Sequence, residues 1–414
     1  MATLKDGLSL LARRDFAKLF VAYLISYAGT AMAPIAMAFG VLDLTGSTRA
    51  SSIVIAAPVA AQIAILLVGG ALADRTSRKR LLVLADLLAM CAQLTIAWLF
   101  LSGQASVPLL TGLMLVNGAA TALGMPAAMG LIPQLVSRAD LQAANALLGV
   151  ARNSAFMIGA ALAGILVATV GAGWTLAIDG ASFGVSALLI ATLRPRRQTP
   201  PEKATMLEDL RLGWREFTSH RWLWSIVLQF AIMLAASDAV FGLIGPAVAK
   251  LQLGGSISWG IISAGFGFGT LVGGLVAIRL SVARPMLFAT LCTLAFCLLP
   301  LGLSAPLAVW MLAALAFAQG VAGQIFGVLW YTTLQKMIAP QLLSRVSAYD
   351  HLGSIALAPL GIIAFGFLFE AIGASLTLLL ASATILIPTL CVLTVREVRS
   401  LTTAQVDGHQ PHTS

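Results

Sequence analysis

The segment from Val68 to Arg80, VGGALADRTSRKR, changes abruptly from apolar to charged residues. One apolar run, at 50–73, precedes the charges, and a second, at 81–102, follows them. Roughly 20 apolar residues are needed to cross a bilayer as an α-helix, so each run is long enough for one crossing. The charged stretch that begins at Asp74 therefore predicts a short polar loop between two transmembrane helices.

The composition of the whole chain agrees with this interpretation. Of 414 residues, 59% are hydrophobic and 10% are charged, and the charged residues comprise 25 basic and 16 acidic side chains. A soluble chain of this length would carry about a hundred charged residues. So few charges cannot cover so much apolar surface in water. The composition excludes a soluble enzyme, a secreted disulfide scaffold and a disordered chain, and it predicts an all-α integral membrane protein.

Apolar runs separated by polar breaks predict twelve spans, numbered here in chain order. The interruption at 194–221 is the longest, and it reads RPRRQTPPEKATMLEDLRLGWREFTSHR, a proline-broken basic start followed by a short amphipathic helix. The predicted spans are 17–42, 50–73, 81–102, 107–131, 144–170, 174–193, 222–248, 257–279, 284–303, 306–335, 345–371 and 373–395.

This pattern predicts four parts of the chain. Residues 1–193 form an N-terminal bundle of six helices, and residues 222–395 form a second bundle of six. Residues 194–221 are a cytoplasmic linker between them. The tail at 396–414 is polar and is expected to be disordered.

The basic residues indicate the orientation. With twelve spans, only Arg49 and Lys250 of the 25 basic residues fall on one face of the membrane, and nearly all the others fall on the opposite face. Because basic loops stay in the cytoplasm, both termini are predicted to be cytoplasmic. The net charge of +9 is then explained by topology and by contact with anionic lipid, and no nucleic-acid partner is expected.

The chain also repeats itself at an offset of about 204 residues. The stretch around Gly69 recurs around Gly273, although Asp74 corresponds to the apolar Ile278. Such internal repeats are typical of duplicated transporters, whose substrate path lies between the halves near mid-membrane. The matched residues are Gly69, Gly70, Arg75 and Arg80 with Gly273, Gly274, Arg279 and Arg284, and Val170–Gly171 with Ile372–Gly373.

The run GGALADRTSRKRLL resembles the loop between helices 2 and 3 that is the signature of the major facilitator superfamily, with Ser77 in place of its second glycine. The stretches RRDFAKLFVAYLIS, APIAMAFGVLDLTGS, PAAMGLIPQLVSRADLQAANAL and VGAGWTLAIDGASF are similar to one branch, the prokaryotic drug/proton antiporters that include macrolide and siderophore exporters. The resemblance implies a major facilitator fold of two pseudo-symmetric six-helix bundles. The positions that match the signature are Gly70, Leu72, Asp74, Arg75, Arg78 and Lys79.

The resemblance also implies a gating role for this motif. Gly70 allows a close helix approach. Asp74 is expected to bond the N-terminus of span 11, near 344–347, where free amides favour an anion. The basic residues would latch the outward-facing state and contact lipid phosphates, although they could equally serve only as topology signals. They are Arg75, Arg78, Lys79 and Arg80.

Three carboxylates inside the spans are candidates for proton coupling, since coupling needs a titratable group that two states expose differently. Asp238, in span 7, lies well inside an apolar run and is the leading candidate. Asp179, in span 6, is expected to be a structural anchor more than a coupling group. Asp86, in span 3, is expected to pair with the basic cluster or with Arg152.

Two departures from the branch weaken the case for proton antiport. Many relatives carry an acid in span 1 where this chain has Gly29–Thr30, and span 5 has Gly159–Ala160 in place of glycine–proline.

The walls of the cavity, which the resemblance assigns to spans 1, 4, 7 and 10, are mainly apolar with a few polar groups. Such a wall suits amphipathic organic molecules. An anion site would need a basic residue near mid-membrane, and we identify none there in the sequence. The candidate substrate-cavity residues are Tyr23, Tyr27, Thr30, Asn117, Gln229 and Gln324.

The function predicted from these features is secondary active efflux of a drug, secondary metabolite or siderophore, by proton antiport, in the bacterial inner membrane. The alternative is a symporter or facilitator for an endogenous metabolite or lipid. An enzyme would need a catalytic cluster, which the sequence does not show, and no metal, cofactor or P-loop is indicated. The expected partners are a small-molecule substrate, protons and membrane lipid, and a monomer suffices.

Overall fold

The structure is a computed structural model that describes residues 10–137, 140–195, 206–305, 307–403 and 406. Within these ranges the side chains of residues 66–75, 142, 146, 206–210, 340 and 344 are not described. The described chain is helical and contains no strand.

The helices follow the predicted spans closely. Eleven helical stretches are long and apolar enough to cross a membrane, among the residues that the structure describes. One of them continues from Leu141 to Ala191 but changes direction at Gly171, so it comprises spans 5 and 6. The prediction of an all-α protein with twelve spans is therefore confirmed. The helices of spans 1–6 are Arg14–Thr45, Thr48–Arg75, Arg78–Leu101, Val107–Leu135 and Leu141–Ala191.

The spans of the second half are less regular. Span 7 contains a π-helical turn, Val240–Ile244, and span 9 contains a 3₁₀ segment, Thr293–Cys297. Span 11 begins at Pro340, earlier than the predicted residue 345, and it is interrupted after Ile355. The remaining helices are Met206–Ser219, Arg221–Ala239, Gly245–Gln252, Ser256–Arg279, Pro285–Cys292, Leu298–Leu303, Val309–Met337, Pro340–Ile355, Ala358–Ile372, Ala374–Leu393 and Arg396–Ser400.

The same turn joins the last two spans of each half. Gly171 has φ 85° and ψ 169°, and Gly373 has φ 81° and ψ 172°. Residues other than glycine are strongly disfavoured in this backbone conformation. The repeat detected in the sequence is thus also present in the backbone, as the same glycine conformation at equivalent positions.

The described chain divides into two compact units. Unit 1 contains residues up to 201 together with 245–267, and unit 2 contains 202–244 and the residues from 268 onward. The boundary at 244/245 falls just after the π-helical turn of span 7, so the first part of this span belongs to unit 2 and its end belongs to unit 1.

Unit 1 is held together by close approaches of small residues, as is usual where helices pack in lipid. Gly118 of span 4 lies against the backbone of Pro58 in span 2, and Gly159 of span 5 lies against the backbone of Ala28 in span 1. A buried apolar cluster fills the end of the unit near residues 76–80, which we call the basic end. Its members include Phe16, Leu19, Leu82, Leu131 and Leu193.

The hairpin at 245–267 packs within unit 1 by the same means. Gly164 and Gly260 approach closely, and the Ser256 hydroxyl donates to the Gly164 carbonyl at 2.9 Å. At the tip, Lys250 Nζ lies 2.6 Å from Asp43 Oδ1 at the end of span 1.

Unit 2 has an aromatic core at its corresponding end. Phe326 stacks with Phe230 at a centroid distance of 4.4 Å and with Trp330 at 5.8 Å. The Trp330 indole donates to Asp350 Oδ2 at 3.0 Å. The helix Met206–Ser219, within the stretch predicted to be a linker, packs here through buried Phe217.

The first residues of the tail differ from the expected disorder. Arg396–Ser400 is a short helix with Val398 fully buried, and Glu397 accepts a hydrogen bond at 3.0 Å from the Trp222 backbone amide at the start of span 7. A carboxylate at a helix N-terminus is favourable, which explains the docking. The tail residues 404–405 and 407–414 lie outside the described residues.

Candidate functional site

The signature loop is described in part. The side chains of Gly70, Asp74 and Arg75 lie outside the described residues. Arg78 Nη1 donates to the Gly130 carbonyl at 2.8 Å, and Lys79 Nζ donates to the Leu193 carbonyl at 2.8 Å. These carbonyls lie near the C-terminal ends of spans 4 and 6, where helix dipoles favour cations. Arg80 is exposed.

A buried polar pair lies deep in unit 1. Gln93 Nε2 donates to Asp179 Oδ2 at 2.6 Å, and both side chains are about 1% exposed. Asp179 Oδ1 and Gln93 Oε1 have no hydrogen-bond partner in the part of the chain that the structure describes. Gly29 of span 1 lies directly against this site, because a Cβ there would collide with Ser182 and would lie 2.7 Å from Asp179 Oδ1. Two oxygens of the pair are therefore without a described hydrogen-bond partner, and span 1 faces them at Gly29, which has no side chain.

Asp86 differs from its expected ion pairing. Its carboxylate is buried and hydrogen-bonded to Ser186 of span 6, and its Oδ2 has no described partner. No described basic group lies within 4 Å of it, and the ion pairs that the structure shows lie elsewhere, among them Arg13–Asp140, His220–Glu216 and Lys250–Asp43.

Tyr23 and Tyr27 share one face of span 1, as their spacing predicted, and their rings meet edge to face at 5.6 Å. The Tyr23 hydroxyl is buried without a described partner, whereas Tyr27 is half-buried. Both Asp86 and the guanidinium of Arg152, in span 5, lie close enough to Tyr27 to act on its hydroxyl electrostatically. The sequence interpretation named Arg152 as a possible neighbour of Asp86 but did not place it near Tyr27, because helix rotation and neighbours cannot be deduced from one sequence.

Asp238 lies in span 7, two residues before the π-helical turn. Its side chain is half-buried, and no hydrogen bond to it comes from residues with described side chains. A π-turn leaves backbone groups less regularly paired and often marks a functional position.

The other cavity candidates are distributed differently. Thr30 is exposed and Asn117 is half-buried in unit 1, and Gln324 is half-buried in unit 2 beside Gly273. Gln229 differs from the expectation of a cavity wall. It is 1% exposed, and its Nε2 donates to Thr293 at 2.9 Å and to Thr389 at 2.8 Å, so it belongs to the packing of spans 7, 9 and 12.

No described group of three or more His, Cys, Asp or Glu side chains is arranged to hold a metal ion.

Comparison with known proteins agrees with this architecture. The model of the transmembrane secretion effector family matches residues 6–412, nearly the whole chain. The chain belongs to this family of the major facilitator superfamily. The enterobactin exporter EntS of Shigella boydii serotype 18 is 26% identical over 359 residues, which cover 84% of this chain and 85% of that protein. EntS of Escherichia coli O81 has the same identity and coverage.

Solved structures with the same fold are major facilitator transporters. A bacterial homologue of the human lysosomal transporter Spinster, inward-facing and unoccupied, has a TM-score of 0.71 at 16% identity, covering 92% of this chain and 95% of that one. A point mutant of the nucleoside transporter NupG has a TM-score of 0.74 at 14% identity, covering 92% of this chain and 99% of that one. The protein is therefore a multi-pass membrane transporter of small molecules.

Proposed function

We propose that this transporter exports small amphipathic organic compounds by proton antiport across the bacterial inner membrane. The observation that carries the proposal is the similarity to enterobactin exporters over 84% of the chain. The description of the family, a transmembrane secretion effector, also indicates transport out of the cell.

The carboxylates inside the spans support proton coupling. Asp238 is half-buried beside an irregular helical turn, and Asp179 and Asp86 are buried with unpartnered oxygens among the described residues. Carboxylates at membrane depth are costly and are retained where protons or substrates pass. We assign the coupling role first to Asp238, since its side chain is the most accessible of the three.

The signature loop supports gating. In our proposal Asp74 bonds the N-terminus of span 11 in one access state, and the basic end is cytoplasmic with both termini on that side. Arg78 and Lys79 hold the ends of spans 4 and 6 together through their carbonyls, so the loop they belong to would move with unit 1 as one piece.

Export is tested by expressing the chain in a strain of E. coli that lacks its own efflux pumps and enterobactin exporter. Secreted enterobactin is the first probe, and resistance to a panel of amphipathic toxins is the second. We expect secretion or resistance above the vector control. If neither changes while the protein is present in the inner membrane, export of such compounds is wrong and uptake assays for endogenous metabolites follow.

Coupling is tested in everted vesicles with whichever probe is exported. Collapse of the proton gradient should abolish accumulation. Asp238→Asn should lose gradient-driven accumulation and retain downhill exchange, because the substrate pathway is intact. Asp74→Asn should instead reduce both while membrane insertion is unchanged. Full accumulation by Asp238→Asn would contradict its coupling role.

A further inference from the structure

Arg152 lies on the protein-facing side of span 5. It lies about three helical turns after the helix begins at Leu141, and span 5 packs against span 1, the helix that carries Tyr27. Gly159, two turns further along the same face, packs against the backbone of Ala28.

The opposite face of span 5 is the one that meets lipid. Ile158, Leu162 and Ile165 form an exposed apolar stripe there. Arg152 points away from this stripe, in line with Gly159 and with Ala163, which is fully buried. A side chain on such a face would ordinarily be covered, yet Arg152 is exposed.

The exposure reflects an opening in this part of unit 1. A Cβ placed on Gly149, one turn before Arg152 on the same side of the helix, would meet no atom within 4 Å. Asn145, two turns before, is also exposed. The stripe formed by Asn145, Gly149 and Arg152 therefore borders open space rather than packed protein.

Among the residues that the structure describes, Arg152 has no anionic partner. No described carboxylate lies within 4 Å of its guanidinium. Asp86, the acid that acts on the same Tyr27 hydroxyl, is buried and bonded to Ser186. A permanent charge at membrane depth requires water or a counter-ion. Arg152, about three turns into span 5, is thus a basic residue inside a predicted span.

We propose that Arg152 and the Tyr27 hydroxyl bind the oxyanion of an acidic amphipathic substrate, a carboxylate or a phenolate attached to an apolar body. The guanidinium presents paired donors that match such an oxyanion. The half-buried Tyr27 hydroxyl, close enough to Arg152 to interact with its charge, adds a third donor. This inference rests on the proposed function, since it names the chemical class that the exporter would carry.

The test measures binding without transport. The full chain is purified in nanodiscs of phosphatidylcholine, a lipid without net charge, and titrated with 2-naphthoate and with its neutral analogue 2-naphthamide. Arg152→Gln should weaken 2-naphthoate binding by about tenfold or more and leave 2-naphthamide binding unchanged, because only the anion uses the charge. Arg152→Lys should recover part of the affinity.

Matched variants keep the inference falsifiable. Arg14→Gln removes one exposed positive charge from the start of span 1, away from the stripe, and should leave binding of both probes unchanged. Tyr27→Phe, which keeps the ring, should weaken 2-naphthoate several-fold even if Arg152→Gln fails to fold. Equal loss of both probes in Arg152→Gln, or no loss of either, overturns the site. Because the assay does not depend on export, failure of the efflux proposal would appear separately.

Discussion

Each unit buries polar groups between three corresponding spans, but the polar residues differ between the two units. In unit 1, spans 1, 3 and 6 contribute Gly29, Gln93 and Asp179, and two oxygens, one of them from the acid, have no described partner. In unit 2 the corresponding spans 7, 9 and 12 contribute Gln229, Thr293 and Thr389, all of them neutral. Only the Gln229 oxygen lacks a described partner there, since both threonines also donate to backbone carbonyls.

The repeat makes this difference informative. The residue of unit 2 at the offset of Gln93 is Cys297, which is buried and contacts the Ser382 carbonyl. One copy of the fold is therefore stable without an acid at this layer. It follows that the buried acid of unit 1 is a property of this unit and not a requirement of the fold, as with Asp74 and Ile278 in the signature loop.

The largest expected effect concerns the helix that covers the acid. Gly29→Leu would force a side chain into Ser182 and Asp179, and overpacking of this kind costs about 3 kcal/mol or more. We expect little folded protein by size-exclusion chromatography in detergent. Met233→Leu in span 7, a volume-conserving change, and Thr30→Val, at an exposed neighbour, should both fold. Normal yield of Gly29→Leu would show that span 1 does not seal the acid.

A second prediction compares the two polar layers directly. Gln93→Leu removes the described donor to Asp179 and should cost about 1–3 kcal/mol, because a buried acceptor loses its partner. Gln229→Leu leaves both threonines bonded to the backbone and should cost about 1 kcal/mol or less. The thermal unfolding midpoint in detergent measures both.

The control for this prediction is the double variant Gln93→Leu/Asp179→Leu, which removes both members of the pair. It should be more stable than Gln93→Leu alone, since no buried acceptor is left. If Gln229→Leu is the more damaging of the single variants, the contrast between the units is wrong.

A third prediction addresses the tip of the hairpin at 245–267, where unit 1 uses an ion pair. Lys250 is 33% exposed and Asp43 is 64% exposed, so water screens the pair and Lys250→Gln should cost about 0–1 kcal/mol. The exchanged pair Asp43→Lys/Lys250→Asp should restore the unfolding midpoint. A large loss in the single variant would indicate that the hairpin depends on charge more than on its glycine contacts.

The smallest effect is a pH dependence at the basic end of unit 1. Asp140 precedes span 5, and hydrogen bonds from Ser137 at 2.7 Å and from Arg13 at 2.8 Å lower the pKa of its carboxyl. A lowered pKa in the folded state stabilises the protein above the unfolded pKa, and this contribution disappears as the pH falls through the folded value.

Arg13→Gln should therefore lower the unfolding midpoint slightly near pH 7, and the difference from wild type should vanish in acid below the folded pKa of Asp140. Lys18→Gln, on the same helix, is the control for loss of charge. A difference that persists unchanged in acid would contradict the assignment to Asp140.

The sequence predicted the spans because their length is fixed by the bilayer. Span 1 was expected at 17–42 and is observed at Arg14–Thr45, and span 4 was expected at 107–131 and is observed at Val107–Leu135. Irregular positions were not predictable, since the π-turn at Val240–Ile244 depends on packing rather than on composition.

The site was predictable by residue type and not by neighbourhood. Tyr23 and Tyr27 were placed together correctly because helical spacing alone sets their face. The surroundings of Arg152 were not predictable, because they depend on which side of span 5 faces span 1. Gln229 was assigned to a wall although Thr293 and Thr389, far away in sequence, bury it.

The twin turns at Gly171 and Gly373 have a consequence for how the molecule can deform. Each connection is a single achiral residue rather than a loop, so the helices on either side of it have no slack with which to slide past one another. Spans 5 and 6 are therefore expected to move together, and so are spans 11 and 12. Any transport-linked bending within a half must then be absorbed at other irregular positions, among them the π-turn of span 7 and the 3₁₀ segment of span 9.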